Sequence, residues 1–192
     1  MSSDDPIAIF SALFTRASHE CEEPDAMVLS TVDPDGRPSA RYVLLKGVDE
    51  RGFVFYTNLD SRKAKALTAH PYAALTFYWP PATQVRIEGD VERVSDGDAD
   101  AYFATRPRGS QIGAWASMQS AGMATRAELD ARVRDVESRF KGAAVTRPPF
   151  WSGFRVVARS IEFWTRDPAR LHERVIFQRQ AGGVWARSML YP

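Results

Sequence analysis

The residues of this chain best suited to chemistry are cations and aromatics, not nucleophiles or metal ligands. Ser61-Arg62-Lys63-Ala64-Lys65 opens a short helix running to about His70 and puts three cations in its first turn. A helix N-terminus already carries partial positive charge, so this crowding is unfavourable unless an anion binds there or the side chains extend into water. Arg41-Tyr42-Val43-Leu44-Leu45-Lys46 brackets an apolar run with two cations of opposite parity, which on one strand would face different sides. Tyr102 and Arg106 lie four apart on a helix and share a face, and Arg106-Pro107 ends that helix just before Ser110. A phenol, a guanidinium and a hydroxyl suit a phosphate; an aromatic–arginine packing pair is the alternative. Glu162-Phe163-Trp164 precedes Arg170-Leu171-His172-Glu173-Arg174. On a strand, Arg170, His172 and Arg174 all point the same way, towards a planar anionic ligand or towards solvent.

Other chemistries fit poorly. His19, His70 and His172 are far apart, with no Cys or carboxylate at ligand spacing, so no zinc site is expected. No GxSxG elbow, Walker A loop or GxGxxG fingerprint occurs. With 25 basic and 24 acidic side chains the net charge is +1, too small a field to hold nucleic acid or an anionic membrane. Cys21 is the only cysteine, which permits a reducing compartment. The acidic start, Met1 to Asp5, lacks a signal-peptide pattern, and the longest apolar run, Tyr72 to Trp79, is too short for a bilayer. The expectation is a cytoplasmic protein of one domain, since 192 residues suit a single core.

The elements that must position these residues read as α+β. Asp5-Pro6 caps an amphipathic helix to about Ser18, with Ile7, Phe10 and Phe14 on one stripe. Ala26–Asp33, Ala40–Val48 and Phe53–Asn58 read as strands of an antiparallel meander, joined at Pro34-Asp35-Gly36 and Asp49 to Gly52. Ala73–Trp79 is a strand interrupted at Pro80-Pro81, and apolar Val85, Ile87, Gly89 and Val91 alternate with Gln84, Arg86, Glu88 and Asp90 in the next. Helices dominate from Gly97 to Phe140; Thr125 and Glu128 have capping-box spacing, and Leu129, Val133, Val136 and Phe140 form a stripe. Strands resume at Gly153 and continue to Leu190, with a turn at Ala181-Gly182-Gly183.

Several separated motifs, in order, resemble the pyridoxine/pyridoxamine 5'-phosphate oxidase family. They are RYVLLK (Arg41 to Lys46), FYTNLDSRK (Phe55 to Lys63), QVRIEG (Gln84 to Gly89), YFATRPRGSQIGAW (Tyr102 to Trp115), Gln119-Ser120, and EFW followed by RLHER. The resemblance spans about Asp5 to Pro192. It implies an antiparallel split β-barrel with inserted helices, forming a homodimer with FMN at the subunit interface. Arg41, Arg62 and Lys63 would then hold the FMN phosphate. The strand from Arg41 through Tyr42, Val43, Leu44 and Leu45 to Lys46 would line the cofactor, together with Tyr56, Thr57, Gln84, Gln119, Ser120, Trp164 and Arg174. Lys46, Tyr102, Arg106 and Ser110 would grip the substrate phosphate, and Arg170 and His172 would sit catalytically against the pyridine ring. The implied reaction takes a hydride equivalent from the substrate C4' carbon to the flavin, with O2 as final oxidant and H2O2 as product.

The chain departs from the family pattern by beginning almost at the Asp5 helix, without the arm many members fold over substrate. Thr83 stands where arginine is common, Met118 where lysine is frequent, and Met189 where arginine is usual. Two rival readings are a dihydrophenazine-type oxidase on the same scaffold and a non-catalytic flavin- or pyridoxal-phosphate-binding module. The set Lys46, Tyr102, Arg106 and Ser110 argues against the first, because a substrate without phosphate would not need it.

Overall fold

A computed structural model describes residues 5–80 and 82–192; the start at Met1–Asp4 and Pro81 of the expected break lie outside them. In α1 (Pro6–Glu20) the Asp5 carboxylate accepts from the Ile7 N–H and Pro6 occupies the first turn, as the sequence predicts. Four strands follow: β1 (Ala26–Val32), β2 (Pro38–Leu44), β3 (Gly47–Asp49) and β4 (Gly52–Asn58). After α2 (Arg62–Ala69) come β5 (Tyr72–Trp79) and β6 (Thr83–Arg93). The helical insertion is α3 (Asp96–Thr105), α4 (Arg108–Ala116) and α5 (Arg126–Arg139). The chain closes with β7 (Trp151–Thr165), β8 (Glu173–Arg179) and β9 (Trp185–Met189).

All nine strands join one antiparallel sheet in the order β2-β1-β5-β6-β7-β4-β3, with β8 added to β7 and β9 to β8. The first four strands are therefore not a meander but two hairpins at opposite ends of the order. The expected single strand Ala40–Val48 breaks because the backbone changes partner there. The Leu45 N–H bonds the Asp25 carbonyl beside β1, while the next N–H, of Lys46, bonds the Val54 carbonyl of β4. Strand β7 makes the second division: residues 151–156 pair with β4, and 160–165 with β8. The result is an α+β split barrel.

Period-two alternation fills its inside. Met27, Leu29 and Thr31 of β1 are buried, and so are Val85, Ile87 and Gly89 of β6. Fully buried Phe10 of α1 packs edge-on against Phe53 (4.9 Å) and Phe77 (5.2 Å), so the N-terminal helix closes the curled sheet. A smaller core of Phe103, Ile112, Phe140, Val145 and Trp151 lies under the helical insertion. The capping box expected at α5 is only partial. The Thr125 side chain does not cap, and Glu128 accepts instead from the Ala124 N–H at 3.3 Å. Among the described residues no helix is long and apolar enough to cross a membrane.

Candidate functional site

Ser61 caps α2: its hydroxyl donates to the Asn58 carbonyl at 2.7 Å and accepts from the Ala64 N–H. The three first-turn cations then part. Arg62 is committed to the buried carboxylate of Asp33, with Nε 3.0 Å from Oδ2 and Nη2 closer still. The Arg62 hydrogen bond holds Asp33 below the usual carboxylate range, and Arg62 is raised in return. Lys63 turns the other way. Its ammonium donates to Gln119 Oε1 (2.7 Å) and Thr57 Oγ1 (3.3 Å), and Thr57 donates to the same Gln119 oxygen. Arg41 donates to Thr31 Oγ1 (2.7 Å), Ser39 Oγ (2.8 Å) and the Leu29 carbonyl (3.2 Å).

Burial first, and then repulsion from Arg41, pushes the Lys63 pKa down; burial also lowers Arg41. Two half-buried cations thus lie near each other with neutral oxygen partners, and among the described residues neither makes an ion pair. An anion would relieve both the desolvation and the repulsion. Lys65 is exposed and, with Arg62, Asn58, Trp115, Gln119 and Ser120, lines an adjacent cavity of about 740 Å3. Ser120 has φ +73°, a left-handed conformation unusual for a side-chain-bearing residue.

Arg41 reaches this cluster because it pairs with Leu29 and so shares the core-facing side of β2. Tyr42 and Leu44 alternate outward and are exposed. Val43 packs against the core and Leu45 is buried in it. Val43 and Leu45 thus turn their side chains inward while Tyr42 and Leu44 turn theirs outward, so the Arg41–Lys46 segment presents both faces of its strand. Lys46 sits at the β2–β3 break, so strand parity does not relate it to Arg41. Its ammonium lies 2.6 Å from Asp25.

A second group forms around Trp151. The helix α3 ends at Thr105, and Arg106 is its extended C-cap (φ −70°, ψ 145°), so Arg106 does not share a helical face with Tyr102 as expected. Aromatic packing gathers them instead. The Tyr56 ring stacks on Tyr102 (4.1 Å) and on Trp151 (5.2 Å), and the Arg106 guanidinium lies 4.7 Å over Trp151. Arg106 Nη1 is buried without a hydrogen-bond partner, and burial lowers the guanidinium pKa. Packing and an unmet donor coexist here. Gly153, opposite Tyr56 across β4–β7, makes the stack possible, because a Cβ there would lie 2.8 Å from the Tyr56 ring. Lys46, Tyr56 and Tyr102 line one cavity of about 420 Å3. Ser110 is exposed on α4, where its N–H bonds the Pro107 carbonyl; its hydroxyl is not bonded to Tyr102 or Arg106.

The third group spans the other strands. Tyr78 pairs with Gln84, Gln84 with Trp164, and Trp164 with Arg174, so these four side chains form one row on one sheet face. Arg170 and His172 lie before β8, not in it, and Arg170 has φ +69°, so strand alternation does not align them with Arg174. The loop brings them back by other means. His172 Nδ1 accepts from the Asp167 N–H at 3.1 Å, its ring lies 4.5 Å from Trp164, and Arg170 joins Tyr78, Trp164 and His172 around a separate cavity of about 420 Å3. Arg174 Nε bonds Glu162 Oε1 at 2.7 Å, which raises its pKa.

One chain therefore carries the expected residues in separate clusters. Three residues that organise them escaped sequence reading. Asp33 stands beside a turn, Trp151 precedes the expected strand start, and Glu162 falls within a motif that gives it no role. Only Glu162 carried a signal: it is two residues from Trp164 on one strand, so the two share a face.

Comparison with known proteins gives concordant results. A family model described as pyridoxamine 5'-phosphate oxidase matches residues 14–140, and one described as the pyridoxine 5'-phosphate oxidase C-terminal dimerisation region matches 151–192. A pyridoxine/pyridoxamine 5'-phosphate oxidase of Myxococcus xanthus (strain DK1622) is 59% identical, covering all of this chain and 94% of the relative. One from Azorhizobium caulinodans is 54% identical, covering 100% and 92%. Among solved structures, PhzG from Burkholderia lata 383, in complex with tetrahydrophenazine-1-carboxylic acid, is similar at TM-score 0.92 and 30% identity, covering 98% of this chain and 93% of PhzG. A pyridoxamine 5'-phosphate oxidase-related, FMN-binding protein of Nostoc punctiforme shares the fold at TM-score 0.79 and 17% identity over the full length of both.

Proposed function

The chain belongs to the pyridoxamine 5'-phosphate oxidase family, and from that premise we propose that it is an FMN-dependent oxidase of pyridoxamine 5'-phosphate, pyridoxine 5'-phosphate or both. With the amine, substrate, water and O2 give pyridoxal 5'-phosphate, ammonia and H2O2. FMN supplies the two-electron acceptor that O2 reoxidises. The chain's own residues bind, orient and balance charge.

The observation that carries this reading is a set of desolvated cations that make no ion pair among the described residues. Lys63 and Arg41 hold only neutral oxygens, which fits the terminal phosphate of FMN. Thr57, Gln119 and Ser120 border the same place, and Arg62 supports it from its Asp33 anchor. Arg106, fixed on Trp151 with an unmet buried donor, fits a substrate phosphate; Tyr102 stacks in the same aromatic group and lines a cavity with Lys46. Gln84, Trp164, Arg170, His172 and Arg174 form a different cluster, so the complete site draws it from a second copy of the chain. The match of residues 151–192 to a dimerisation region supports that homodimer.

The FMN-loaded protein, given pyridoxamine 5'-phosphate in air, should consume O2 and release peroxide and pyridoxal 5'-phosphate in equal amounts. Absence of turnover with both phosphorylated substrates would leave a binding module. Equal turnover of phosphorylated and unphosphorylated amines would favour an oxidase of a phosphate-free substrate.

A further inference from the structure

Glu162 is a charged side chain in an unusual place. It lies on β7 with 6% of its surface exposed, and its two oxygens are divided between two arginines on neighbouring strands. Arg86, directly opposite on β6, reaches Oε2 at 3.1 Å; Arg174, diagonally placed on β8, reaches Oε1 at 2.7 Å. The two partners differ in their need for it. Arg86 has a second carboxylate, Glu88 at 2.8 Å, whereas Glu162 is the only carboxylate bonded to Arg174 among the described residues. The remaining anchor of Arg174 is neutral, the Tyr191 carbonyl at 3.1 Å from Nη1.

We propose that Glu162 is a positioning residue for the cofactor site, fixing the Arg174 guanidinium in the Gln84–Trp164–Arg174 row so that its free Nη2 edge faces a ligand. The inference rests on the FMN reading above and extends it to a residue that the resemblance left without a role. Two fixed points, Nε on Glu162 and Nη1 on Tyr191, leave a planar guanidinium no rotational freedom, and that is what a fork-shaped donor needs to meet a planar acceptor edge. Without Glu162, Arg174 keeps its charge but loses the shorter of its two anchors, so the cost appears at the ligand. Arg86 would be little affected, because Glu88 continues to neutralise it.

The test is a double-mutant cycle on FMN affinity, read by fluorescence titration of flavin-stripped, full-length protein. Glu162→Gln should weaken FMN binding about tenfold in the wild-type background and less than about twofold in an Arg174→Ala background. Glu162→Asp, which keeps the charge, should recover part of the loss. Arg86→Ala should change affinity less than about twofold, which separates positioning from general damage to a buried ionic string. An equal loss in both backgrounds, or a loss with Arg86→Ala as large as with Glu162→Gln, would overturn the positioning role while leaving the FMN reading intact. If the wild-type protein does not bind FMN, both fall together.

Discussion

Lys63 and Arg106 share a predicament: each is a cation taken partly out of water, with its pKa pushed down by burial, and neither makes an ion pair among the described residues. The first was legible in the sequence because its cause is local, a run of cations at a helix start. Its neighbour was not, since Arg62 is taken up by Asp33, 29 positions away. The two residues lead to separable outcomes. Lys63→Ala should weaken FMN binding by about ten- to hundredfold, the usual effect of losing one charge-assisted hydrogen bond. Unchanged affinity in a titration of the stripped variant would remove Lys63 from the site. Arg106→Ala should erase the preference in kcat/KM for phosphorylated over unphosphorylated pyridoxamine. Trp151→Leu, which removes the ring under the guanidinium, should reduce that preference without abolishing it. A preference that survives Arg106→Ala intact would contradict its role in the cradle.

Elements whose hydrophobic period runs uninterrupted were legible, and those decided by a change of backbone partner were not. The alternation in β6 and the capped start of α1 follow directly from residue order. The break at Leu45-Lys46 does not, because RYVLLK reads as one strand until the β1 and β4 carbonyls compete for its N–H groups. The end of α3 at Thr105 likewise takes Arg106 off the helix, where it packs over Phe103 and the distant Trp151. Gly153 tests this element-level account. Placing a methyl group against the Tyr56 ring should force it off the Tyr102–Trp151 stack, so Gly153→Ala should cost about 1–3 kcal/mol of stability. Thermal denaturation measures the loss. An unchanged midpoint would mean that the ring does not need the glycine.

For the whole molecule, the proposed function requires a site shared between two copies of the chain. The Lys63 cluster borders one cavity through Gln119 and Arg62, and the Trp164 row on β5, β6, β7 and β8 borders a different one through Tyr78 and Trp164. Exposed Tyr42, Leu44 and Tyr78 accompany them on the outward sheet faces. Sedimentation of the FMN-loaded protein at micromolar concentration should therefore show one species of twice the chain mass, 21.5 kDa each. A stable, FMN-saturated monomer would contradict the shared site. Family and fold were legible in the sequence because many short motifs keep their order. The separation of their residues into clusters was not, since a motif does not state which copy of the chain it serves. The proposed function requires that electrons from a phosphorylated pyridoxamine pass to FMN held by these residues. The direct test mixes FMN-loaded protein with pyridoxamine 5'-phosphate in the absence of O2. The expected result is loss of the yellow flavin absorbance with one pyridoxal 5'-phosphate formed per flavin, the colour returning on admission of air. Flavin that stays yellow with that substrate and with pyridoxine 5'-phosphate would contradict the account.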